Sequence, residues 1–235
     1  MTSIAGRMIV AKDADALSAQ AVQLIAQRMA DCDMPFRMVL SGGITPISVY
    51  RRLARAPGLP WPCVELFLGD ERFVPLDHQD SNYRMVRETL LLDGTVQPRK
   101  FFAMPTDDTP QSAAARYDEM LRQQYGSGTL EAGVPLFHLT LLGLGDDGHT
   151  ASLLPGQPVL QERQAWAAAV PHGRPEPRLT LTYPALEASA LILFLVSGAG
   201  KREALAKARN GALPAGALRP KGEVIWLVDE AAAGG

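Results

Sequence analysis

Four strand-like runs in this chain each stop at a polar, glycine-containing segment: Phe36–Leu40 at Ser41-Gly42-Gly43, Val64–Leu68 at Gly69-Asp70-Glu71-Arg72, Phe137–Leu142 at Gly143 through His149, and Leu191–Val196 at Ser197-Gly198-Ala199-Gly200. Helical spacing resumes after three of them, from Pro46, from about Ser81 to Leu92, and from Lys201 to Arg209. Strand, glycine turn, helix is the grammar of an α/β fold. The pattern predicts a largely parallel central sheet with helices on both faces, a Rossmann-like open sheet. Leu17, Ala21, Leu24, Ile25 and Met29 mark an earlier helix with Asp13 or Asp15 as its cap, and Val224–Val228 reads as a last strand before a small-residue tail expected to fray. No internal repeat or linker interrupts the chain, so residues 1–235 are expected to form a single domain. In an open α/β sheet the ligand crevice lies outside the carboxyl ends of the strands. All four punctuating segments are then candidates for one shared site, although glycine in any one of them could simply make a tight turn.

Charge narrows the partners. With 23 Lys+Arg against 25 Asp+Glu, the formal charge is −2, which argues against a protein built to release counterions from nucleic acid. The longest clean apolar run, Ala190 to Val196, is far short of the ~18 residues a membrane span needs. The start, Met1 to Arg7, lacks the charged-then-apolar pattern of a secretory signal, so a cytoplasmic location is expected. Cys32 and Cys63 form no C-x-x-C pair, and His78, His138, His149 and His172 show no H-x-x-x-H spacing. Neither a disulfide framework nor a metal site is indicated, and Cys63 reads as a small packing residue.

The polar segments differ in the chemistry they offer. Ser41, Gly42, Gly43 and Thr45 lie just ahead of a predicted helix start, where glycine amides, hydroxyls and the positive end of the helix suit a phosphate; Thr45 could equally cap that helix. The run from Gly143 to Gly148 matches G-x-G-x-x-G, but Asp146 and Asp147 inside it would oppose a pyrophosphate. It does offer Asp147 two residues from His149, a carboxylate that can orient an imidazole able to take a proton near neutral pH. Arg72 could bind an anion or stabilise developing negative charge, with Asp70 and Glu71 holding it or forming exposed pairs. Lys201 lacks the context of a P-loop yet remains a good point charge for a phosphate. No G-x-S-x-G elbow occurs.

Taken in order, Ser41 to Pro46, Gly69-Asp70-Glu71-Arg72-Phe73-Val74-Pro75 continuing through His78, Ser81 and Asn82, Gly143 to Leu153 with Pro155-Gly156, Arg178 to Thr182 with Pro184, Ser197 to Lys201 and Trp226 to Asp229 resemble the 6-phosphogluconolactonase family. The resemblance implies hydrolysis of a sugar-phosphate lactone without a cofactor. It assigns His149 as the base, Asp147 as its orienting partner and Arg72 as a catalytic cation, with Ser41, Gly42, Gly43, Thr45, Asp70, Asn82, Arg178 and Lys201 around the substrate. A monomer is expected. The glucosamine-6-phosphate deaminases share the fold and an Asp-Gly-His loop, but Leu154 stands where their catalytic Glu would be, and leucine transfers no proton. A sugar-phosphate isomerase or deaminase, and a non-catalytic sugar-phosphate sensor, are the alternative readings. Three departures from the family pattern are visible: Ile44 in place of a common Ser or Thr, Leu154 in place of a frequent Phe, and Asp146 where Pro is frequent. Since the implied substrate is an anion and the chain is net negative, Arg72, Arg178 and Lys201 should gather at one crevice with most acidic side chains elsewhere.

Overall fold

The computed structural model describes residues 6–30 and 35–234; Cys32 and Met1 to Ala5 lie outside the described residues. Seven strands form the main sheet: β1 (Arg7–Ala11), β2 (Phe36–Leu40), β3 (Val64–Leu68), β5 (Lys100–Phe102), β6 (Leu139–Leu142), β9 (Leu191–Val196) and β10 (Glu223–Asp229). Their order is β1-β10-β9-β6-β2-β3-β5, and every pairing is parallel. β3 and β9 are buried at every residue, as expected of strands covered on both faces. The Phe194 and Trp226 rings stack between β9 and β10 with centroids 3.8 Å apart.

Helices α1 (Ala14–Ala30), α2 (Ile44–Leu53) and α3 (Asn82–Thr89) follow β1, β2 and the β3 region; α4 (Pro110–Tyr125), α5 (Tyr183–Glu187) and α6 (Arg202–Arg209) belong to the return half of the chain. Helix α1 packs on α2 and α2 on α3, as expected of successive crossovers that run the same way across a parallel sheet. Asp13, rather than Asp15, caps α1, accepting from the Ala16 amide at 2.8 Å. Ser81 caps α3, whose helical residues begin at Asn82 and end at Thr89, short of the expected Leu92. The small-residue tail is not frayed at its start. Asp229 accepts from the Ala232 amide at 2.8 Å and nucleates a short α7, Glu230–Ala233.

A second, three-stranded antiparallel sheet stands beside the first: β4 (Asp70–Arg72), β8 (Arg178–Leu181) and β7 (Ala167–Val170), in the order β4-β8-β7. This corrects the expectation of a polar loop at Gly69–Arg72. Gly69 is the junction, donating its amide to the Leu40 carbonyl at 2.9 Å and accepting from the Leu181 amide at 2.8 Å. The chain thus passes from the main sheet into the small one across a single residue.

Within the main sheet β9, β6, β2 and β3 are neighbours, so at ~4.8 Å per strand their carboxyl ends span roughly 15 Å. The chain steps outward from β2 to β3 and in the other direction from β6 to β9. The β2/β6 pair is therefore the topological switch point, where adjoining loops diverge and leave a crevice.

Candidate active site

The loop after β2 is held from beneath. The buried Tyr50 hydroxyl accepts from the Ser41 amide at 2.9 Å and donates to the Ser41 carbonyl at 2.8 Å, and burial pushes its phenol far above the usual range, keeping it a donor. Gly43 is the N-cap of α2 at φ 100°, a left-handed backbone that favours glycine. Thr45 is already inside the helix and makes no cap, so the capping role open to it is overturned. The first amides of α2 have no side-chain cap and remain available to a ligand.

β4 sorts its three charged residues by the alternation of a strand. Glu71 is fully buried and accepts four hydrogen bonds, from the amides of Arg72, Asn82 and Tyr83 and from the Ser81 hydroxyl. Burial raises its carboxyl pKa against the pull of those bonds. Glu71 anchors the start of α3 and does not reach the crevice. Asp70 faces the other way, accepting from the Ser152 hydroxyl at 2.6 Å and from Asn82 Nδ2 at 3.3 Å, with Arg178 Nη1 3.9 Å away. Arg72 and Arg178 are directly opposed across the β4–β8 ladder. Like charges in that relation repel, and the Nε of each is buried with no protein partner. Burial lowers the Arg178 pKa and nearby Asp70 opposes that shift. Two guanidiniums placed side by side, with donors to spare, form a seat for an anion.

The loop after β6 carries the proton-transfer pair. Asp147 Oδ1 lies 2.5 Å from His149 Nδ1, and Asp147 Oδ2 accepts from Arg174 at 2.8 Å. Burial disfavours the Asp147 charge, but the bonds from Arg174 and His149 outweigh it and hold the carboxyl well below the usual aspartate range. Arg174 Nη2 also lies 3.2 Å from Nδ1; because an ionised carboxylate only accepts, the tautomer with hydrogen on Nδ1 satisfies the closer Asp147 contact and leaves a lone pair on Nε2. The loop is braced by the Gly145 amide on the His149 carbonyl at 2.9 Å, the Thr150 hydroxyl on the Gly143 carbonyl at 2.9 Å and the Ala215 amide on the Gly148 carbonyl at 3.0 Å. After β9, Asp229 accepts from the Ser197 hydroxyl and the Gly198 amide and so fixes the turn that ends in Lys201. Lys201 itself pairs with Asp146 at 2.6 Å.

These segments enclose one cavity of about 550 Å³. Ser41, Gly42, Gly43, Thr45, Asp70, Arg72, Asn82, His149, Arg178 and Lys201 all line it, and Asp147 stands behind His149. The three cations gather as expected, and most acidic side chains lie elsewhere; the exceptions are Asp70 on the wall and Asp146 and Asp147 beside it. Arg174 was missed in the sequence, where it sits in an aperiodic Pro- and Gly-rich stretch. Ala151, another lining residue, holds a left-handed φ of 47°, and no sequence signal marks it.

Residues 12–226 match the family described as glucosamine-6-phosphate isomerases/6-phosphogluconolactonase. The chain belongs to this family. It is 38% identical to the 6-phosphogluconolactonase of Nostoc sp. over 95% of each chain, and 38% identical to that of Rattus norvegicus over 92% of this chain and 88% of the other. Among solved structures it is similar to 6-phosphogluconolactonase from Thermotoga maritima, with a TM-score of 0.82 and 30% identity over 96% of this chain and all of that one. A monomeric glucosamine-6-phosphate deaminase, 22% identical with a TM-score of 0.80 over 97% and 99% of the two chains, shares the fold.

Proposed function

We propose that this crevice hydrolyses 6-phospho-D-glucono-1,5-lactone to 6-phosphogluconate, the second step of the oxidative pentose phosphate pathway, with no cofactor. The observation that carries the reading is a proton-accepting imidazole and three cations around a single cavity, in a chain of this family. His149 Nε2 takes a proton from water as the oxygen attacks the lactone carbonyl carbon. The resulting oxyanion is stabilised by Arg72. Collapse breaks the bond from that carbon to the ring oxygen, and the imidazolium returns its proton to the departing oxygen. Asp147 keeps the imidazole in the required tautomer throughout.

Ser41, Gly42, Gly43 and Thr45, with Arg178 and Lys201, hold the phosphate, which carries about −1.5 to −2 charge near neutral pH. Its remote binding energy positions the reacting carbonyl. Asp70 and Asn82 act one step back, tying Arg178 and the start of α3 to the cavity wall. The chain acts as a single domain, supported by one buried cluster that runs from Ala11 to Ala232, and the monomer expected from the sequence remains part of the proposal. The cytoplasmic location expected from the sequence remains part of the proposal.

The deaminase alternative requires a proton-transferring residue where Leu154 stands, and Leu154 is buried. The test is lactonase turnover coupled to oxidation of 6-phosphogluconate, with spontaneous hydrolysis subtracted, in wild type and His149→Ala. We expect turnover in the wild type and a loss in kcat of roughly 10²–10⁴ in the variant. Binding without turnover would identify a sensor, ammonia release from an amino-sugar phosphate would identify a deaminase, and wild-type kcat in His149→Ala would remove the base.

A further inference from the structure

Three carboxylates stand at a crevice proposed to receive an anion, and two of them are accounted for by their contacts. Asp70 is tied to Ser152, Asn82 and Arg178, and Asp147 to His149 and Arg174. Asp146 is different. Its side chain is 81% exposed, and among the described residues its one polar contact is the Lys201 ammonium, 2.6 Å away. The Gly148 amide bonds the Gly145 carbonyl at 2.9 Å, which makes Asp146 a central residue of a tight turn, projecting from it without bracing the fold.

We propose that Asp146 is a tethered counter-ion that occupies Lys201 when the site is empty and competes with the substrate phosphate for it. This rests on the reading of Lys201 as a phosphate ligand. Lysine suits the exchange, being a compact charge on a flexible stem that can turn from one partner to another. Lys201 lines the cavity and Asp146 does not, so the pair joins a cavity cation to a carboxylate outside the lining. A phosphate approaching dianionic charge displaces a single exposed carboxylate, whereas a weakly charged ligand meets an ammonium already neutralised. When product leaves, Asp146 closes on Lys201 again. Asp146 thereby weakens retention of substrate, product and free phosphate alike, and it acts only through Lys201.

The test compares Asp146→Asn, Lys201→Gln and the double variant, measuring KM for the phosphorylated lactone and competitive inhibition by inorganic phosphate. Asp146→Asn should lower KM about two- to fivefold, the scale of an exposed ion pair, with the phosphate inhibition constant falling in parallel. Both differences should shrink in ~1 M salt, where the Debye length is ~3 Å. In the Lys201→Gln background the Asp146→Asn change should have no effect. An unchanged or raised KM in Asp146→Asn, or an equal gain without Lys201, overturns the counter-ion. If Lys201→Gln itself retains wild-type KM and phosphate inhibition, the reading of Lys201 as a phosphate ligand fails first, and the counter-ion with it.

Discussion

Replacing Gly145 by alanine displaces the proposed base without removing it. Gly145 does not use a left-handed backbone, so alanine meets no intrinsic strain there. A Cβ at this position would lie 2.0 Å from His149 Nδ1, 2.2 Å from Cε1 and 2.8 Å from Asp147 Oδ1. To restore ordinary contact the imidazole must retreat by about 1.4 Å, which breaks the Asp147–His149 bond and moves Nε2. A misplacement of ~1 Å can cost ~10²-fold in rate, and general-base catalysis as a whole contributes ~10²–10⁴. Gly145→Ala should therefore lower kcat/KM by about 10² or more. Competitive inhibition by inorganic phosphate should change little, because the amides after β2 and Arg178 are untouched. The assay is steady-state lactone hydrolysis with spontaneous turnover subtracted, accompanied by a thermal melt to establish folding. Added to His149→Ala, the same substitution should cost little more, since both remove one function. A folded Gly145→Ala protein with kcat/KM within about threefold of wild type would refute the geometry from which the base is assigned.

Lys201→Ala should raise KM for the phosphorylated lactone more than it lowers kcat, and should narrow the preference over unphosphorylated gluconolactone; intact discrimination would exclude Lys201 from the phosphate site. Asp229→Ala leaves the Gly198 and Ala232 amides without their acceptor and should cost about 1–3 kcal/mol at pH 7 by urea unfolding. Burial opposes the Asp229 charge, but its hydrogen bonds prevail and depress the folded-state pKa below the ordinary 3.8. Its contribution is accordingly present above pH 3.8 and lost as pH falls through the lower folded value, so the gap to Asp229→Ala should close in acid, and a gap independent of pH would contradict the ionised cap. Glu71→Ala strips the acceptor from Asn82 N, Tyr83 N and Ser81 Oγ and should destabilise by about 2–4 kcal/mol, with Glu71→Gln losing less; an unchanged urea midpoint in Glu71→Ala would be the contrary result.

Much of the fold was legible because the decisive strands are fully buried. Leu191–Val196 is apolar throughout and Val64–Leu68 is interrupted only by the buried Glu65, and their glycine-marked ends identified the crevice. Helix α4 escaped notice although Thr109 caps it and Ala113, Tyr117 and Leu121 keep helical spacing; the strands that escaped carry little periodicity. β5 is three residues, β1 is an edge strand with Met8 and Val10 exposed, and β7 is three alanines and a valine. Arg174 escaped for another reason: its place beside Asp147 is set by a turn far along the chain, and a single sequence records no such distance.

The charged triplet after β3 shows what was lacking. Read as a loop, Asp70, Glu71 and Arg72 could each be ligand, brace or exposed ion pair, since a loop imposes no order on its side chains. Read as strand β4, they obey a period of two. Asp70 and Arg72 then share the cavity face, and Glu71 must point to the opposite one, where it meets the amides at the start of α3. The same pairing of β4 with β8 sets Arg72 against Arg178. One residue, Gly69, produces this arrangement by carrying the chain from one sheet into the other. The anion seat on a chain of net charge −2 therefore follows from strand register: β4 and β8 put two cations on one wall, while Glu71 spends its charge beneath it.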